Sequence, residues 1–78
     1  MENNITVYTT TQCPYCTMLK GFLSQNNIAF NEVNVEKDPI MMQRVVRQTG
    51  QMGVPQTEIN GEWVIGFDPE SIIKALKQ

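Results

Sequence analysis

Two cysteines, Cys13 and Cys16, are the residues whose type and spacing could do chemistry in this 78-residue chain. A disulfide between them would close so short a loop that it would add little to stability. A single Cys-x-x-Cys pair also provides two thiolates where a closed zinc site uses four ligands, and the sequence has no second pair. The pair is therefore typical of reversible thiol chemistry. Its alternatives are a metal or cluster shared with another chain, and an inert pair.

The composition excludes several other classes of function. Histidine is absent, which excludes an imidazole base, a zinc site with histidine ligands and a Ser-His-Asp triad. The net charge is -2 and the six basic residues are scattered, so nucleic acid is not an expected partner. No apolar run approaches the roughly 20 residues of a membrane span, and the first residues lack the features of a signal peptide. We expect a single domain over residues 1–78, which acts as a cytoplasmic monomer and binds no membrane.

Short apolar segments alternate with amphipathic ones along the chain. Strands are predicted over residues 5–8, 29–35, 57–59 and 62–65, and helices over 14–25, from 39 to Gly50, and from 69 onward. A loop is expected to start at Thr9. Phe30 and Val33 have opposite parity in the second strand, so either a bulge lies between them or both faces of the strand are covered.

The order of these segments predicts the fold. Asn60-Gly61 between the last two strands is a strong hairpin signal, because both turn positions favour a positive φ. A helix that connects the first two strands makes them parallel. The sequence therefore predicts an α/β protein of the thioredoxin type, β-α-β-α-β-β-α, whose four-stranded mixed sheet is flanked by three helices.

The first cysteine is placed where a helix begins. Cys13-Pro14 parallels Asp38-Pro39 and Asp68-Pro69, so Cys13 should be the N-cap of the first helix. The amides of Tyr15 and Cys16 and the helix dipole would then stabilise a thiolate and lower the pKa of Cys13. Cys16 lies on the apolar face of the same helix. We therefore expect Cys13 to attack and Cys16 to resolve.

Three motifs resemble the glutaredoxin family over nearly the whole chain. They are Cys13-Pro14-Tyr15-Cys16, Val54-Pro55 followed by Gln56, and Gly66-Phe67-Asp68. The resemblance implies a cis Val54-Pro55 peptide bond opposite the active-site helix. It also implies a binding site for a peptide or glutathione formed by Tyr15, Val54, Pro55, Gly66, Phe67 and Asp68, with Pro14 as a structural neighbour. Phe67 could instead close the end of the sheet. The resemblance further implies disulfide-containing proteins as partners, glutathione as a co-substrate, and no bound cofactor or metal.

Departures from the family pattern leave the reductant open. Thr10 replaces the usual lysine, Gly53 replaces the threonine before Val-Pro, and Pro69 lacks an N–H that could bind a glutathione carboxylate. The segment from Gly66 to Glu70 is similar to the NrdH-redoxins, which thioredoxin reductase reduces and which supply electrons to ribonucleotide reductase. Pro14-Tyr15 argues for the glutathione-dependent type instead. A third alternative is a dimer that shares an iron-sulfur cluster through Cys13 and glutathione.

Overall fold

The computed structural model describes residues 4–77 and contains four strands and three helices in that range. In chain order the elements are β1 (Ile5–Thr9), α1 (Pro14–Gln25), β2 (Asn31–Asn34), α2 (Pro39–Thr49), β3 (Gln56–Ile59), β4 (Glu62–Ile65) and α3 (Pro69–Leu76). The strands form one sheet in the order β2-β1-β3-β4. β1 and β2 are parallel, and the other two neighbouring pairs are antiparallel. The predicted thioredoxin-type fold is confirmed.

Four strand boundaries differ from the prediction, each by one or two residues. Thr9 is the last residue of β1 rather than the first residue of a loop, and it pairs with Asn34 of β2. Its side chain is buried, and its hydroxyl donates to a carboxylate oxygen of Glu32 at 2.8 Å. A threonine can occupy this buried position because its polar atom has a partner. β2 runs from Asn31 to Asn34 and is therefore shorter than predicted at both ends. β3 begins one residue earlier than predicted, at Gln56.

Both faces of the sheet are covered, which decides between the two alternatives for the second strand. Phe30 packs against one hydrophobic cluster and Val33 against the other, while residues 31–34 pair with β1 in regular register. The cluster under α1 and α3 contains Ile5, Val7, Leu19, Leu23, Ile59, Val64, Ile72 and Ala75. The cluster under α2 contains Tyr8, Val35 and Val45.

The hairpin and the helix starts follow the predicted local signals. Asn60 and Gly61 have φ values of 51° and 89°, as a turn with two left-handed residues requires. Asp38 caps α2 by accepting from the amide of Met41 at 3.2 Å. Among residues 4–77, no helix is both long enough and apolar enough to span a membrane.

Strand register brings three separate segments to one end of the sheet. Gln56 at the start of β3 pairs with Tyr8 near the end of β1 and with Ile65 at the end of β4. The residues just after β1, just before β3 and just after β4 therefore lie at the same end of the sheet. Those residues include the three motifs that the sequence singled out.

Candidate functional site

Cys13 occupies the N-cap of α1, as predicted. Its backbone is extended, with φ -148° and ψ 96°, and the amide of Cys16 donates to its Sγ at 3.1 Å. Among residues 4–77, no other group donates a hydrogen bond to this sulfur, so the bond predicted from the Tyr15 amide is not seen. Pro14 occupies the first turn, where its missing N–H leaves no helical bond unmade. The helix thus presents its free amide end to the sulfur.

The two cysteines form a disulfide but differ in exposure. Their Cα atoms are 5.2 Å apart. Cys13 is half-buried, whereas Cys16 is 2% exposed and lies on the face of α1 that carries Leu19 and Leu23. A substrate can therefore approach the first sulfur from solvent but not the second. The ring of Tyr15, between them in sequence, is 62% exposed.

The second motif, Val54-Pro55, lies directly before β3. Its peptide bond is cis, as the family resemblance implied. Pro55 is buried, and its carbonyl accepts a hydrogen bond of 2.8 Å from the amide of Gly66. Within residues 4–77, neither the N–H nor the carbonyl of Val54 has a hydrogen-bond partner. An extended chain beside Val54 could pair with both groups.

Asp68 in the third motif is already engaged as the N-cap of α3. One carboxylate oxygen accepts from the Ser71 amide at 3.2 Å, and the other accepts from the Ser71 hydroxyl at 2.8 Å. These two bonds hold the pKa of Asp68 below its ordinary value, and the bond from the Ser71 hydroxyl has the larger effect. Pro69 offers no N–H, and Glu70 adds a second acidic side chain in the first turn. The start of α3 therefore offers few donors to a ligand carboxylate.

Phe67 is half-buried and packs against the hydrophobic cluster under α1 and α3. The ring was expected either to contact a substrate or to close the end of the sheet, and these contacts fit the second role. Gly66, just before it, has a φ of 79° in the left-handed region. That turn directs the chain from β4 into the start of α3.

One polar network in the sheet was missed by sequence reasoning. The guanidinium of Arg44 on α2 forms two hydrogen bonds of 3.0 Å to Glu58 on β3, and Tyr8 donates to the same carboxylate at 2.9 Å. The bonds from Arg44 are the main cause that lowers the pKa of Glu58. Burial, followed by the hydrogen bond to Glu58, raises the pKa of Tyr8. Trp63 stacks on Tyr8 with ring centres 5.3 Å apart. Since these residues are distant in sequence, no local pattern marked them.

Gln56 was named with the Val54-Pro55 motif in the sequence, but no role was predicted for it. Its side chain is completely buried, and its Nε2 donates to the carbonyls of Gln51 and Gly53. A polar residue at a position that should be buried was the available signal. Among residues 4–77, no group of three or more histidine, cysteine, aspartate and glutamate side chains could hold a metal ion.

Comparisons with known proteins agree with this geometry. The sequence profile of the family described as Glutaredoxin matches residues 5–64. An uncharacterized glutaredoxin-like 8.6 kDa protein in the rubredoxin operon of Clostridium pasteurianum is 34% identical, over 95% of this chain and 99% of that protein. The glutaredoxin-like protein NrdH of Lactococcus lactis subsp. cremoris (strain MG1363) is 33% identical, over 90% of this chain and 96% of that protein. The crystal structure of the thioredoxin-like protein BC3987 superposes with a TM-score of 0.85 at 36% identity, covering 92% of this chain and 99% of that one.

Proposed function

The chain belongs to the glutaredoxin family and is a thiol-disulfide oxidoreductase, and we propose that it reduces disulfides by a dithiol mechanism. In this mechanism Cys13 is the nucleophile and Cys16 is the resolving thiol. The observation that carries the proposal is the half-buried Cys13 at the amide end of α1, bonded to the buried Cys16. We further propose that the chain acts as a single-domain monomer in the cytoplasm, where thiols are kept reduced.

The reaction transfers two electrons in two exchange steps. The Cys13 thiolate attacks one sulfur of the substrate disulfide, which breaks that bond and releases the first substrate thiolate. The Cys16 thiolate then attacks the Cys13 sulfur of the mixed disulfide and releases the second substrate thiolate. Substrate is reduced, and the Cys13-Cys16 disulfide is left for an external reductant.

Substrate recognition is proposed at the edge where the three motifs meet. The unpaired main-chain groups of Val54 can pair with a substrate strand, and the exposed Tyr15 ring offers an apolar contact beside the sulfur. We assign Gly66, Phe67 and Asp68 to the same site, because the Gly66 amide donates to the carbonyl of the buried Pro55. Pro14 contributes by starting the helix.

Single-cysteine variants test the mechanism. Cys13→Ser should abolish reduction of a glutathionylated peptide, because no nucleophile remains at the exposed position. In Cys16→Ser, Cys13 should still attack the substrate, but the mixed disulfide on Cys13 should accumulate, and mass spectrometry detects it. If Cys13→Ser keeps most of its activity, or if Cys16→Ser accumulates no such adduct, the dithiol mechanism is wrong.

We also propose thioredoxin reductase as the reductant, with ribonucleotide reductase as a candidate electron acceptor. The Asp68 carboxylate and Pro69 at the start of α3 favour this over glutathione, since both oppose binding of a glutathione carboxylate there. The similarity to NrdH of Lactococcus lactis supports the same direction. Oxidised protein should be reduced faster by NADPH with thioredoxin reductase than by NADPH with glutathione and glutathione reductase. The reverse order would identify glutathione as the reductant.

A further inference from the structure

Gln56 fixes the loop that leads into the proposed substrate site. It is the first residue of β3 and directly follows Pro55, and its side chain is 0% exposed. Nε2 donates to the carbonyl of Gln51 at 3.0 Å and to the carbonyl of Gly53 at 2.9 Å. Both hydrogens of the carboxamide are therefore used within one short loop.

The other end of the same carboxamide has no partner. Oε1 of Gln56 is buried, and no hydrogen bond reaches it from residues 4–77. An unpaired buried oxygen is unfavourable, and an apolar side chain of similar size would avoid it. What glutamine provides at this position, and an apolar residue would not, is the pair of N–H donors.

The bond to Gly53 has a direct effect on Val54. The Gly53 carbonyl and the Val54 N–H belong to one planar peptide group, which is trans, so the two point in opposite directions. Anchoring the carbonyl on the buried Gln56 therefore turns the N–H away from the protein interior. That N–H has no partner within residues 4–77.

We propose that Gln56 is a positioning residue for substrate: by holding the Gly53 carbonyl, it aims the Val54 N–H at the main chain of a bound peptide. This inference rests on the proposed function, in which a peptide disulfide pairs with Val54. Gln56 touches neither the reacting sulfurs nor the substrate. It acts through the orientation of one peptide group.

Two substrates separate this role from a general effect on folding or on Cys13. One is a mixed disulfide of a cysteine-containing decapeptide with thionitrobenzoate, and the other is the mixed disulfide of 2-mercaptoethanol with thionitrobenzoate. The second has no peptide group to pair with Val54. Attack by the reduced protein releases coloured thionitrobenzoate from both, and the ratio of the two second-order rate constants cancels the reactivity of Cys13.

Gln56→Met keeps a side chain of similar length and removes both donors. We expect the rate with the peptide disulfide to fall about three- to tenfold, as for the loss of one hydrogen bond, with the mercaptoethanol disulfide unchanged. Gln56→Leu is the second variant, since its apolar side chain presents no hydrogen-bond donor, and it should lower the ratio in the same way. It serves alone if the methionine variant does not fold.

Thr49→Val is the matched control. The Thr49 hydroxyl donates to the Val45 carbonyl at 2.9 Å and accepts from the amide of Gln51, in the same loop, at 3.2 Å, but it does not bond to the Gly53 carbonyl. Its loss should leave the ratio at the wild-type value. An unchanged ratio in the Gln56 variants, or an equal fall in Thr49→Val, would overturn the positioning role. Either result would leave the outcome of the Cys13→Ser and Cys16→Ser tests unchanged. Failure of this inference is therefore distinguishable from failure of the proposed mechanism.

Discussion

The amide of Gly66 donates a hydrogen bond of 2.8 Å to the carbonyl of Pro55. It continues the pairing of β3 and β4 beyond the last registered pair, Gln56 with Ile65. The bond fastens the segment after β4 to the segment before β3, and both belong to the proposed substrate site. Gly66 makes this bond with a φ of 79°, and a Cβ added there would meet nothing within 4 Å. The need for glycine is therefore conformational rather than steric.

Gly66→Ala should lower the free energy of unfolding by about 1 kcal/mol, because an L side chain is strained at this φ. Urea denaturation measures the change. Gly53→Ala is the control, since Gly53 has no positive φ and its added Cβ also meets nothing within 4 Å. It should be neutral or stabilising by about 0.4–1 kcal/mol, because alanine restricts the unfolded chain. Equal destabilisation by both variants would contradict the conformational explanation.

Gly21→Ala should stabilise the protein by about 0.5–1 kcal/mol, because glycine is a poor helix former inside α1. The position is exposed and has open space around it. The midpoint of thermal unfolding should rise. At Gly50, the C-cap of α2, φ is 74°, so Gly50→Ala should lower the midpoint instead. A fall in both variants would show that helix propensity does not limit stability at position 21.

Local signals explain why much of the fold followed from sequence. Caps act within one turn, so residue type and a following proline were enough to place Cys13, Asp38 and Asp68 at helix starts. The Asn60-Gly61 turn is similarly local, and it fixed the pairing of the last two strands. The reactive pair could be located because it coincides with one of these caps.

Features that depend on distant partners could not be predicted. Thr9 can extend β1 as a buried residue because its hydroxyl donates a hydrogen bond to Glu32 on the neighbouring strand. Gln56 bonds to carbonyls of an irregular loop, and no periodicity describes such a loop. Parity around β2 left two options, because Phe30 lies just before the strand and packs on the opposite face of the sheet from Val33.

Glu58→Gln should lower the free energy of unfolding by about 1 kcal/mol at pH 7, since one charged acceptor serves both Arg44 and the buried hydroxyl of Tyr8. Arg44 is partly exposed, so solvent screening keeps the effect modest. Folding lowers the pKa of Glu58, so this contribution is present above its ordinary value of 4.5 and is lost as the pH falls through the folded value.

Urea titrations of wild type and Glu58→Gln should therefore differ fully at pH 7, and the difference should shrink as the pH falls below 4.5. Glu36→Gln removes the same charge from an exposed site in the loop after β2, and it should leave stability within about 0.5 kcal/mol of wild type. A difference between wild type and Glu58→Gln that persists at low pH would mean that shape, not charge, is what the glutamate contributes.

In the reduced protein, Cys13 should react with iodoacetamide at least about tenfold faster than Cys16, because it is more exposed than Cys16 and the Cys16 amide favours its thiolate. Half of the maximal rate should be reached at a lower pH than for free cysteine. Peptide mapping after short labelling gives both rates. In concentrated urea the two cysteines should react equally, since unfolding removes both the difference in their exposure and the helix amides. Faster labelling of Cys16 in the folded protein would reverse the assigned roles.

Pro69→Ala should speed reduction of the Cys13-Cys16 disulfide by glutathione, because it adds a free N–H at the start of α3 where a carboxylate can bind. One added hydrogen bond of about 1 kcal/mol corresponds to roughly a fivefold change in rate. Reduction by thioredoxin reductase should be unaffected, since it needs no glutathione site. NADPH consumption in the two coupled assays measures both rates. Pro39→Ala makes the same change at the start of α2 and should alter neither. If both proline variants accelerate the glutathione reaction equally, the missing amide at α3 is not what disfavours glutathione.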